Sequence, residues 1–107
     1  MGKLRVLVVD DEALVRLTIA ELLEQRDDLV RLADSAEQAL AILAESDFDV
    51  LVTDLSMPGM GGLELVKRTR ELYPYMVPVI LTGTGTHADA VTALKHGVFD
   101  YLQKPLA

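Results

Sequence analysis

Short apolar runs that do not alternate with polar residues divide the chain. Val6-Leu7-Val8-Val9, Val50-Leu51-Val52 and Val77-Pro78-Val79-Ile80-Leu81 are the clearest, and they are rich in β-branched side chains. Strands buried on both faces read this way, which predicts a parallel sheet covered on both sides. Leu29-Val30-Arg31-Leu32-Ala33 is a weaker strand candidate, and Phe99 to Leu102 is a short last one. Between the runs the period becomes helical. From Glu12 to Gln25 the apolar positions Val15, Ile19, Leu22 and Leu23 recur on one helix face. Ser35-Ala36-Glu37-Gln38 predicts a capping box opening a helix to about Glu45. Gly62 to Tyr73 predicts a third helix with Leu65, Val66 and Leu72 on one face. His87 to His96 predicts a fourth, with Gly97 at the position of a left-handed C-terminal cap.

Strand and helix alternate from Leu4 onward. That order implies right-handed βαβ crossovers and an α/β fold built on an open, doubly wound parallel sheet of five strands. The length of 107 residues suits one domain over 1–107, and half the residues are hydrophobic, enough for a packed core. No repeat, low-complexity tract or interdomain linker interrupts the pattern. The chain stops at Ala107, soon after the fifth strand. A last helix expected to cover one face of the sheet is absent, so the natural polypeptide is expected to continue.

Charge narrows the function classes. The formal charge is −7, from 17 acidic and 10 basic residues. That sign argues against direct nucleic-acid binding and against docking on an anionic membrane. With no cysteine, disulfides and thiolate metal sites are excluded, and an intracellular location is compatible with this. The start of the chain is neither a secretory signal nor a membrane span.

In open α/β sheets, ligands bind outside the carboxyl ends of the strands. The residues ending each strand therefore carry the chemistry: Asp10-Asp11 after the first, Asp54 at the third, Thr82-Gly83 at the fourth and Lys104-Pro105 after the fifth. If the first and third strands are neighbours, as in the order 2-1-3-4-5, then Asp10, Asp11 and Asp54 converge. Three carboxylates in one pocket repel unless a cation neutralises them, and Mg²⁺ suits carboxylates, waters and a phosphate oxygen. With the Lys104 ammonium and the Thr82 hydroxyl the set fits phosphoryl transfer, with a carboxylate nucleophile forming an aspartyl phosphate. Each residue also has a plain structural role. Asp10 or Asp11 suits a helix N-cap, and Asp54 suits the turn before Met57-Pro58-Gly59. Their joint placement at consecutive strand ends favours chemistry. Tyr101 lies near the site side of the fifth strand or is simply half-buried. His87 and His96 carry no catalytic assignment.

Val8-Val9-Asp10-Asp11-Glu12, Asp54-Leu55-Ser56-Met57-Pro58-Gly59-Met60, Leu81-Thr82-Gly83 and Asp100-Tyr101-Leu102-Gln103-Lys104-Pro105 together resemble the receiver domain of two-component response regulators. The resemblance runs from Leu4 to Leu106, with four motifs in order. It implies the strand order 2-1-3-4-5 and a Mg²⁺-dependent reaction in which Asp54 accepts a phosphoryl group from a histidine kinase or phosphotransfer protein. It further implies that Asp11, Asp54 and the backbone carbonyl of Ser56 ligate Mg²⁺, with Asp10 acting through a metal-bound water. Lys104 would pair with the carboxylate and then with the phosphoryl group. Thr82 would bond the phosphoryl oxygens, and Tyr101 would turn inward behind it as the second switch residue. A cytoplasmic location, an output domain beyond Ala107 and a homodimer through the fourth helix and fifth strand are further expectations. The domain would turn over only its own phosphoryl group and would not act as an enzyme on other substrates. A cis Lys104-Pro105 bond is also expected.

Two departures stand out. Gly61 and Gly62 occupy a segment where the family often carries Asp or Asn, which weakens the cap of the third helix. The expected fifth helix is the other. The competing reading is a phosphatase-like hydrolase with an aspartyl nucleophile. Such enzymes want a second Asp two residues after the nucleophile, and here that position is Ser56. A flavodoxin-like cofactor binder would want a loop rich in Ser, Thr or Gly after the first strand, where this chain has Asp10-Asp11-Glu12.

Overall fold

The computed structural model describes residues 3–55, 57–82 and 100–103, the last four and residue 82 by their backbone. The elements are β1 (Arg5–Val9), α1 (Ala13–Glu24), β2 (Leu29–Ala33), α2 (Ala36–Leu43), β3 (Val50–Asp54), α3 (Gly62–Leu72), β4 (Val77–Thr82) and β5 (Asp100–Gln103). The strands form one parallel sheet in the order β2-β1-β3-β4-β5. The expected fourth helix, the residues after Gln103 and the Lys104-Pro105 bond lie outside the described residues.

β1 and β3 sit inside the sheet, and their side chains alternate between two covered faces. Leu7, Val9 and Leu51 pack with Ala36, Ala39, Ile42 and Leu43 of α2 and Leu65 of α3. Val6, Val8 and Val52 pack on the opposite face with Ile19 of α1 and Leu81 of β4. This is why the strands read as unbroken apolar runs: neither face meets water. β2, an edge strand with Leu29 exposed, gave the weaker signal for the same reason.

Pro78 lies in β4 although proline lacks the donor a sheet needs. The N–H of Val77 donates to the Asp49 carbonyl at 2.9 Å, so alternation turns position 78 the other way, toward β5. Among the described residues, pairing with β5 begins at Val79, opposite Asp100. The missing donor therefore costs no ladder bond among them.

Two helical stripes differ from the sequence pattern in detail. On α1, Val15, Ile19 and Leu23 pack on the sheet, whereas Leu22 lies on the flank of that stripe and is exposed. On α3 the buried residues are Gly62, Leu65, Val66 and Thr69, and Leu72 is exposed. The Thr69 hydroxyl is satisfied by the Val66 carbonyl at 3.1 Å, which lets a polar residue occupy the core side. Leu72 is the last residue of the helix, and Tyr73 packs against the core instead.

Candidate functional site

The strand register brings the acidic residues together. Val9 of β1 lies opposite Thr53 of β3, so the next positions, Asp10 and Asp54, are neighbours at the carboxyl edge. Asp10 is fully buried and Asp54 is 5% exposed, while Asp11 and Glu12 are open to solvent. Asp10, Asp11 and Glu12 each place a carboxylate oxygen within 4.8 Å of the other two. The strand ends lead one to expect Asp10, Asp11 and Asp54 in one pocket; the close group of carboxylates is Asp10, Asp11 and Glu12, with Asp54 on the neighbouring strand end. The signal was available in the run of three acids, but only the tight turn into α1 brings the third one back.

This turn is tied at two points. The Glu12 N–H donates to Asp10 Oδ1 at 2.9 Å, the local Asx arrangement that favours Asp before a helix. Arg16, one turn into α1, donates from its guanidinium to the Asp10 backbone carbonyl at 2.7 Å. The N-cap of α1 is Glu12, which makes no side-chain cap bond, so neither Asp10 nor Asp11 takes the capping role expected of them; Asp10 instead ties the turn before the helix and contributes to the cluster. Arg16 was missed in the sequence because nothing in its spacing distinguishes it from a solvated arginine.

The loop after β3 is held just as closely. The Leu55 N–H continues the ladder to the Leu81 carbonyl at 3.0 Å. Gly59 has φ of +74°, a left-handed conformation suited to glycine after Pro58. The N–H of Met60 is taken by Glu37 Oε2 of α2 at 3.3 Å. The Gly62 N–H is taken by the Leu55 carbonyl at 3.1 Å. Gly61, the N-cap of α3, has no capping side chain, as expected. Gly62 has a stricter role than the weakened cap suggested. A Cβ there would overlap the Asp54 carbonyl oxygen and lie 2.8 Å from its carbon. The start of α3 is thus pressed directly onto the backbone of Asp54.

The other strand-end residues are described less fully. Thr82 closes β4, one position past Leu81, which pairs with Asp54. Tyr101 lies on β5 opposite Ile80, and Gln103 pairs with Thr82 at the same edge. The side chains of Thr82 and Tyr101 lie outside the described residues, as do Ser56 and Lys104 entirely. Not all the acidic residues belong to this edge. At the opposite edge Asp28 and Asp49 accept the N–H groups of Leu4 and Arg5 at 3.2 and 2.8 Å, which are structural roles. Among the described residues no helix is long and apolar enough to cross a membrane.

The family model for the response regulator receiver domain matches residues 6–107. The chain belongs to that family. A putative NtrX-like response regulator of Rickettsia bellii is 37% identical over 107 residues, which cover 98% of this chain and 22% of that protein. The chain spans about a fifth of the length of the NtrX-like relatives it matches. Among solved structures, a Burkholderia pseudomallei response regulator with a phosphorylated aspartic acid, a calcium ion and citrate superposes with a TM-score of 0.89 at 34% identity. That match covers 99% of this receiver and 62% of that chain. The beryllofluoride-activated NtrC4 receiver domain dimer superposes with a TM-score of 0.89 at 33% identity, over 96% of this receiver and 85% of that chain.

Proposed function

We propose that this receiver is a phosphorylation switch in which Asp54 accepts a phosphoryl group from a phosphohistidine of a partner kinase or phosphotransfer protein. The observation that carries this is the pairing of buried Asp54 with buried Asp10 at the carboxyl edge, beside the Asp10-Asp11-Glu12 carboxylate cluster. A Asp54 carboxylate oxygen attacks phosphorus, and the phosphorus–nitrogen bond to the donor imidazole breaks. The electron pair stays on the imidazole nitrogen, which takes up a proton, and Asp54 becomes an acyl phosphate. The phosphorylated aspartic acid in the Burkholderia pseudomallei relative supports the same chemistry here.

The residues fit a hard divalent cation. The carboxylate oxygens of Asp10, Asp11 and Glu12 lie close together and repel one another without a counter-charge. Asp11, Asp54 and the Ser56 carbonyl would hold Mg²⁺ directly and Asp10 through water, with Glu12 beside them. Bound there, the ion offsets the charge that develops on the transferring phosphoryl oxygens. The calcium ion in the same relative supports a divalent site. Lys104 pairs with the carboxylate and afterwards with the phosphoryl group, and Thr82 bonds its oxygens. Movement of Thr82 leaves room for Tyr101 to turn inward, which alters the face of the fourth helix and β5 and favours a homodimer or output-domain contact. The NtrC4 receiver dimer supports that reading.

The test is incubation with a small phosphodonor and Mg²⁺, read by intact mass. One phosphoryl group is expected, labile to hydroxylamine, and none in Asp54→Asn. Full modification of the Asn variant would place the acceptor elsewhere.

A further inference from the structure

We infer that Arg16 is a positioning residue for the metal-binding carboxylates: its guanidinium locks the β1–α1 turn in the geometry that gathers Asp10, Asp11 and Glu12. This rests on the metal reading above and extends it to a residue that bears the opposite charge from the proposed carboxylate ligands.

The turn leaves β1 at Val9 and enters α1 at Ala13, so three residues reverse the chain direction. All three are acidic, and their carboxylates crowd within 4.8 Å of one another. Left to electrostatics alone, such a turn would splay. Two bonds oppose this, and both converge on Asp10. Its carboxylate accepts the Glu12 N–H at 2.9 Å, and its carbonyl accepts the Arg16 guanidinium at 2.7 Å. Both are charge-assisted, the first through its carboxylate acceptor and the second through its guanidinium donor, and Arg16 is half-buried. Arg16 is also anchored, since its own N–H donates to the Glu12 carbonyl at 3.2 Å in the first turn of α1. The side chain thus spans from the helix back to the strand end and closes a brace around Asp11, a proposed direct ligand that is exposed. The guanidinium bond recorded here goes to a backbone carbonyl and acts on the path of the turn.

A positioning role and a purely electrostatic role predict opposite signs. A positive charge beside the cluster repels Mg²⁺, so if charge were all that mattered, Arg16→Ala would bind Mg²⁺ more tightly. If Arg16 sets the turn, Arg16→Ala binds about tenfold more weakly, the size of effect typical for a group that orients a metal ligand. Arg16→Lys keeps a donor able to reach the same carbonyl and recovers most of the affinity. Mg²⁺ titrations of the three proteins followed by amide NMR read these affinities. Hydrogen exchange at the Glu12 amide, in the absence of metal, reads the turn itself and is expected to quicken in Arg16→Ala alone. Urea unfolding without metal separates this from general destabilisation. Equal or tighter Mg²⁺ binding by Arg16→Ala overturns the inference while leaving the metal site intact. Failure of the unsubstituted protein to bind Mg²⁺ overturns both.

Discussion

A methyl group at position 62 would overlap the carbonyl oxygen of Asp54, and this contact joins the start of α3 to the proposed phosphoacceptor without any side chain between them. Overlap with backbone cannot be relieved by a rotamer change, so the helix or the strand end must move. Gly62→Ala is expected to cost about 1–3 kcal/mol, the usual range for forcing extra volume into a packed site. It should also slow phosphoryl addition, because the displaced group carries the acceptor. Urea denaturation checks the first effect and time-resolved intact mass the second. Gly61→Ala is the control. Its Cβ would meet only the Leu55 carbonyl oxygen at 3.4 Å, an ordinary contact, so little change in phosphoryl addition is expected. The two glycines look alike in the sequence; only the approach of the Asp54 backbone separates them.

Among the described helices, α2 has the most complete entry. The Ser35 hydroxyl accepts the Gln38 N–H at 3.1 Å, half of the capping box that the sequence predicts. The other half is shifted by one residue: Gln38 Oε1 accepts the Asp34 N–H at 2.6 Å instead of that of Ser35. Ser35→Ala is expected to lose about 1 kcal/mol, a typical cost for removing a capping oxygen, and Ser35→Asp to retain most of it. Chemical denaturation of the two variants checks this. α1 ends differently. Asp27 adopts φ of +65° where glycine is usual, with Asp28 N–H bonding back to the Leu23 carbonyl at 3.1 Å. The stop of α1 was therefore legible only as the end of an apolar stripe and not from a glycine signal. The start of α3 is the converse case. It lacks a capping side chain, and Leu55 and Glu37, from β3's exit and from α2, supply acceptors around it.

At the scale of the molecule, the proposed metal site would couple folding to ion binding. The fold holds the carboxylates of Asp10, Asp11 and Glu12 within 4.8 Å of one another, and a divalent cation bound there would offset their repulsion only in the folded state. Mg²⁺ at one hundred times its dissociation constant is expected to stabilise the protein by about 2.7 kcal/mol, the linkage value for a ligand that binds the native state alone. Asp11→Ala should abolish that increment while leaving metal-free stability equal or higher, since one repelling charge is gone. Urea unfolding with Mg²⁺ and with a chelator tests both. A Mg²⁺ increment that survives in Asp11→Ala would remove this residue from the ligand set.

Most of the architecture was legible along the chain. Strands buried on both faces need unbroken β-branched runs, and helices covering them need a stripe at helical spacing. Both are short-range properties, so Val6 to Val9, Val50 to Val52 and Val77 to Leu81 announced the sheet and the acids that follow its strands. Phe99 to Leu102 announced β5 with bounds one residue early, because the run is short and lies at the edge of the sheet. The exact partners belong to tertiary structure. The placement of Val9 opposite Thr53, which sets Asp10 beside Asp54, is a contact across more than forty residues. The pressure of Gly62 on the Asp54 backbone is close in sequence but belongs to tertiary structure as well, because it depends on how α3 seats against the sheet. The reach of Arg16 to the Asp10 carbonyl depends likewise on the angle at which α1 leaves β1. Apolar periodicity records which side of an element is dry. It carries no record of where a polar side chain ends, because that is decided by packing two elements together and by the unpaired carbonyl or amide their junction leaves.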